Sequence, residues 1–141
     1  MNIKLYLQMI KKQRKNIDDK YRLSYSDIKR ICKYVDNSIF ENNCSKWNGY
    51  ITYNKNYYIS FYFNNTKVAL HRLLYINFIG DLNENIYLTC NCNCKGCINL
   101  NCFNIKNNKY TKNIVTPKKS NKKKINYCNF FLNYHYFFLN Y

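Results

Sequence analysis

The chain has 141 residues, enough for one domain with tails and too few for two comfortable cores. Twenty-three Lys and Arg stand against 7 Asp and Glu, and the resulting formal charge of +16 exceeds what solubility needs. Such a field favours polyanions, nucleic acid first, then an acidic protein or an anionic membrane surface.

AT-rich coding accounts for the surplus of Asn, Lys, Tyr and Ile, but not for the shortage of carboxylates. No stretch reaches the ~18 uninterrupted apolar residues of a membrane span. Met1–Ile10 has only scattered apolar residues and runs into Lys11, Lys12, Arg14 and Lys15, which is not the pattern of an export signal. The expectation is therefore an intracellular, reducing compartment. There, the 8 cysteines stay thiols, and clustered thiols usually mean metal.

In chain order, residues 1–23 form a basic N-terminal segment whose Ile3, Leu5, Leu7, Met9 and Ile10 suit a strand or a short helix. Ser24 and Ser26 before Asp27 mark a helix start, and Ile28, Ile31, Cys32 and Val35 recur at helical spacing, predicting a helix over 26–36. Tyr50–Tyr53 reads as a short strand. Tyr57–Phe63 alternates, with Ile59, Phe61 and Phe63 on one face. Asn64-Asn65 fits a two-residue hairpin turn, and Val68 and Leu70 continue the returning strand. His71–Ile79 predicts a helix burying Leu73, Leu74, Phe78 and Ile79, with Gly80 as its stop. Tyr87–Thr89 is a short strand. Asn104–Val115 predicts one more helix, closed by Pro117. The five lysines of Lys118–Lys124 make a basic linker before an aromatic tail.

Five cysteines fall within the thirteen residues Cys90–Cys102: Cys90, Cys92, Cys94, Cys97 and Cys102. Zinc takes four soft or borderline ligands in a tetrahedron, and short loops such as Cys92-x4-Cys97-x4-Cys102 let a chain turn back onto one ion. Spacing alone does not choose the four. Cys90, Cys92, Cys94 and Cys97 satisfy it as well.

From Cys44 onward three blocks stand in order. They are Cys44-Ser45-Lys46-Trp47-Asn48-Gly49, then Leu70-His71-Arg72-Leu73-Leu74-Tyr75-Ile76-Asn77-Phe78-Ile79-Gly80, then Thr89-Cys90-Asn91-Cys92 with Cys97-Ile98-Asn99-Leu100-Asn101-Cys102-Phe103. Over about 60 residues they resemble the zinc-containing branch of the HNH (His-Me finger) endonucleases, which includes the His-Cys box homing enzymes. That family reads C-x-x-W-x-G, A-H-R-x-x-Y-x-x-F-x-G and D-H-L-C-x4-C-x-N-P-x-H-L. The resemblance implies a structural zinc on Cys44, Cys92, Cys97 and Cys102, with Cys102 in the place of the family's last histidine. It also implies a small α+β fold, a zinc-stapled HNH-like domain over 24–115 with a β-hairpin and a ββα-like finger. A basic linker and aromatic tail then occupy 116–141.

The same register argues against cutting. HNH nucleases use a neutral His as general base and a divalent cation, Mg²⁺ if this chain were active, at the scissile phosphate. The base position is Cys90, and losing such a base costs ~10²–10⁴ in rate. Thr89 stands where the family has an acid. Thr111 stands where related enzymes hold the metal through Asn. Asn99 matches a loop-tying Asn, and His71 belongs to the A-H-R block rather than to the base position.

What remains is a binder. Arg72 is the implied phosphate contact, and Lys118, Lys119, Lys122, Lys123 and Lys124 supply charge without sequence readout. Tyr50, Tyr53, Tyr57 and Tyr58 are available for base stacking or for packing. The expectation is a degenerate HNH-like zinc protein, virus- or plasmid-encoded, that binds nucleic acid, DNA first, or serves a larger protein–nucleic-acid complex. An active homing-type nuclease and a virion- or polymerase-docked structural protein are the alternatives.

Overall fold

The computed structural model describes residues 1–52 and 59–107. Helix α1 (Ile3–Lys12) settles the first ambiguity: Leu5 and Met9, four apart, are fully buried, while Ile3 and Leu7 are 62% and 60% exposed. A strand would have put all four on one face. Asn2 caps this helix, accepting from Leu5 N at 3.0 Å, and its amide donates to the Asp36 carbonyl at 2.7 Å. Segment 1–23, set apart above from a domain beginning at 24, thus shares one core with the residues that follow. Leu5, Met9 and Leu23 pack in a single cluster with Ile28, Ile31, Val35, Ile59, Leu70, Leu74 and Ile98.

Helix α2 (Tyr25–Ile31) starts where Ser24 predicts, with a reciprocal cap: Asp27 N donates to Ser24 Oγ at 3.2 Å and Ser24 N to Asp27 Oδ2 at 3.0 Å. It is shorter than the predicted 26–36. Its apolar stripe continues through a turn instead, and Val35 leaves the helical path to pair antiparallel with Trp47. Cys32 and Val35 stay buried all the same.

Strands β1 (Ser60–Phe63) and β2 (Thr66–Ala69) form an antiparallel hairpin in the register Phe63↔Thr66. Asn64 and Asn65 have φ of 46° and 62°, the left-handed pair that a type I′ turn requires. Ile59, Phe61 and Phe63 are buried as the alternation predicts. Tyr57 and Tyr58, at the start of that predicted strand, lie outside the described residues. Tyr50 and Ile51 belong to no strand.

Helix α3 (Leu70–Phe78) follows β2 directly and buries Leu70, Leu73, Leu74 and Ile76. Ile79, predicted inside, is instead 43% exposed, because the helix ends one residue earlier and turns it to solvent. Asn77 on this helix is fully buried. Its carbonyl oxygen accepts from Leu23 N and the Gln13 amide, and its own amide donates to Tyr21 and Leu73 carbonyls. One side chain therefore fastens α3 to the chain between α1 and α2.

Strands β3 (Ile86–Cys90) and β4 (Phe103–Asn107) form a second antiparallel hairpin, register Cys90↔Phe103 to Ile86↔Asn107. This corrects the helix expected from Asn104. The partner strand offers Asn104–Asn107 a ladder, and Phe103 and Ile105 carry a period of two. The rest of that predicted helix lies outside the described residues. The fold is a small mixed α/β arrangement with two hairpins, and the loop of the second one carries the cysteines.

Candidate metal centre

Two stretches of chain build the site. The first is the knuckle at Cys44–Trp47, the second the loop 91–102 between β3 and β4. They are laced together: Ile98 N donates to Ser45 O at 2.8 Å, Trp47 N to Gly96 O at 2.9 Å, and Lys46 pairs with Cys97. Gly96 has φ +71°, the left-handed region that favours glycine, and a Cβ there would also push the Ile51 Cδ1 methyl, 2.4 Å away, aside. Gly49 is constrained differently. A Cβ there would come within 2.6 Å of the Trp47 indole.

Asn99 is fully buried beneath the loop. Its amide donates to the Glu41 and Asn43 carbonyls at 2.6 Å each, and its oxygen accepts from Asn101 N at 2.8 Å. It therefore holds the residue before Cys44 from the other side. On α3, His71 Nε2 lies 2.9 Å from the Cys97 carbonyl. A carbonyl only accepts, so Nε2 carries the proton. Burial pushes the His71 pKa down, and the bond to Cys97 opposes this only in part.

With their backbones so placed, Cys44, Cys92, Cys97 and Cys102 bring four sulfurs within 4.8 Å of one another. A tetrahedral zinc with Zn–S of about 2.3 Å has S–S edges of about 3.8 Å. The cluster is within an ångström of that at its widest, and the four cysteines can hold a metal ion such as zinc. They are the same four that the resemblance selects.

The thiol chemistry agrees with this. Burial opposes the Cys92 thiolate, but hydrogen bonds with Cys90, the backbone at Cys94, Cys97 and Cys44 bring it down to about 6. Partial burial, then bonds to Cys92 and Cys97, push Cys102 up to about 12. Bonds to Cys94 and Cys92 likewise push Cys44 up. Cys92 is thus the thiol most ready to ionise, and a cation would favour the thiolates of Cys44 and Cys102 beside it.

Cys90 lies beside this set, its Sγ 3.3 Å from Cys92 Sγ, and Cys94 is exposed at the loop tip. Arg72 is engaged elsewhere: its guanidinium donates to the Ile86 carbonyl at 2.6 Å and the Asn83 carbonyl at 3.0 Å, tying α3 to β3. The sequence reading as a phosphate contact missed this structural use. Thr111, Lys118, Lys119, Lys122, Lys123 and Lys124 lie outside the described residues, as do Tyr53, Tyr57, Tyr58 and His135. Sequence reasoning passed over Gly96, although a lone glycine among cysteines is the usual mark of a tight metal loop.

The chain is 48% identical over 126 residues to an uncharacterized protein of Acanthamoeba polyphaga mimivirus, a match covering 85% of this chain and 36% of that relative. It thus spans about a third of that relative's length, and the relative is viral. No family model and no solved structure matches the chain. Among the described residues, no helix is long and apolar enough to cross a membrane.

Proposed function

We propose that this chain is a zinc-stapled, HNH-like module that binds nucleic acid and has lost the means to cut it. One observation carries the reading: the four cysteines aligned with the family's zinc ligands are the four whose sulfurs converge. The register that pairs them assigns the general-base position to Cys90, on the strand that leads into the cluster. His71, the one histidine of the described residues, donates Nε2–H to a backbone carbonyl beside the metal loop. It orients a ligand there and is turned away from solvent.

The zinc's role in this reading is to hold the knuckle and the loop together. Thiolates suit zinc among abundant ions, and a closed four-cysteine set leaves no open position for a substrate. The charge of +16 then supplies affinity for a phosphate backbone through counterion release.

Two measurements test the proposal. Binding to a DNA duplex should weaken steeply between low and physiological salt. Plasmid incubated with the protein and Mg²⁺ or Mn²⁺ should remain supercoiled. Metal-dependent nicking that disappears in Cys90→Ser or His71→Ala would overturn the non-cutting part. No retention of DNA at low salt would favour docking on an acidic protein instead.

A further inference from the structure

A groove of about 340 Å³ opens between α2 and β1, and none of the clustered cysteines lines it. Trp47 is its floor, 5% exposed, with the Tyr34 ring 5.1 Å away and tilted by 44°. Around the rim stand three tyrosines that the fold leaves in water: Tyr34 at 46%, Tyr62 at 54% and Tyr50 at 77% exposure. Rings of this size normally go to the core. Here Phe61 and Phe63, on the same strand as Tyr62, do go inward.

Two cations share the rim. Arg30 is pre-set: its guanidinium lies 4.6 Å over the Phe61 ring, bonded to Asp27 at 2.6 Å and to the Tyr62 carbonyl at 2.7 Å. Asp27 offsets part of its charge. Lys33 makes no ion pair among the described residues and keeps its charge in full.

Exposed aromatic faces beside an unpaired cation are the pattern that receives bases and phosphates of an unpaired strand. A base inside a duplex has both faces covered by its neighbours and cannot stack on a tyrosine; a single strand can. We propose that this groove is a binding site for single-stranded nucleic acid, with Tyr50 and Tyr62 stacking on bases and Lys33 meeting the phosphate between them. The proposal rests on the nucleic-acid reading above and adds to it a place and a strandedness.

Trp47 is the only tryptophan in the sequence and lines this groove, so its emission responds to occupancy there as long as the zinc site and the fold stay intact. The test uses the full zinc-loaded chain with labelled dT15, U15 and a blunt 15-base-pair duplex. Affinity comes from fluorescence polarisation, and Trp47 emission is followed in parallel. The expected result is tighter binding of dT15 or U15 than of duplex, with quenching of Trp47. The dT15 and U15 arms separate DNA from RNA as the natural strand. Tyr50→Ala and Tyr62→Ala should each weaken single-strand binding about tenfold, while Tyr50→Phe and Tyr62→Phe restore it. Both side chains are exposed, so these variants keep the fold. Lys33→Gln should flatten the salt dependence by about one phosphate contact.

Single-strand affinity that survives both alanine variants, with Trp47 emission unmoved, would overturn the groove and leave nucleic-acid binding standing. Failure to bind dT15, U15 and duplex alike at low salt would overturn the nucleic-acid reading itself.

Discussion

Removing Cys44 as a sulfur donor puts a number on the metal site. Cys97 follows Cys44 by 53 residues, and the hairpin β1–β2 and helix α3 all lie between them. Tying two points that far apart in an unfolded chain corresponds to about 4 kcal/mol by loop-closure entropy. That is a large share of the 5–15 kcal/mol expected for a whole domain. Because metal binding and folding draw on the same free energy, the loss should appear in both. Cys90 and Cys94 lie close enough to step in, so the comparison belongs in a Cys90→Ala, Cys94→Ala background. That background should bind one zinc per chain, with chelator competition changed by less than about tenfold. Adding Cys44→Ala should then cost roughly a thousandfold in zinc affinity. It should also lower the urea midpoint of unfolding, read by Trp47 emission. Unchanged zinc affinity on adding Cys44→Ala, or loss of the metal in the background alone, would refute this assignment of ligands.

Other positions give independent checks. Asn99→Leu strips the Asn43 carbonyl of its donor and leaves the Glu41 carbonyl only the Asn101 amide at 3.2 Å, and at ~1–3 kcal/mol for a stranded group should cost about that much by urea unfolding. Gly96→Ala meets both a φ of +71° and the Ile51 side chain, so a loss of about 2 kcal/mol or more is expected, measured as a fall in thermal midpoint. Asn65→Gly relieves a non-glycine residue at φ 62° in the type I′ turn and should stabilise by a few tenths of a kcal/mol up to about 1. A Ser24→Ala change removes half of the reciprocal cap on α2 and should cost about 1 kcal/mol.

Local chemistry was legible in the sequence and long-range pairing was not. Ser24 with Asp27 announces a helix start because both halves of the cap lie within one turn. Asn64-Asn65 announces a hairpin because the turn's positive φ selects such residues locally. α1 was ambiguous, since an AT-rich chain scatters Ile and Leu onto exposed positions such as Ile3 and Leu7 and blurs its period. β4 was mistaken for a helix because the strand that completes it lies across the metal loop. No property of residues 104–107 alone outweighs that partner. The four cysteines were chosen by register rather than by spacing, and spacing could not have excluded Cys90, whose sulfur is 3.3 Å from Cys92. Asn77 gave no signal at all: a buried asparagine is recognisable only once its four partners, drawn from Gln13, Tyr21, Leu23 and Leu73, have been brought to it.

Three of the four converging sulfurs come from the eleven residues Cys92–Cys102, while the fourth enters from 48 positions earlier. The metal therefore has a local half-site and a remote latch. Short loops join Cys92, Cys97 and Cys102, whereas the hairpin β1–β2 and helix α3 lie between Cys44 and the other three. An ion held there would be expected to exchange only as often as the latch lifts. The amide of Asn99, gripping the Glu41 and Asn43 carbonyls just ahead of Cys44, is the part that keeps it shut.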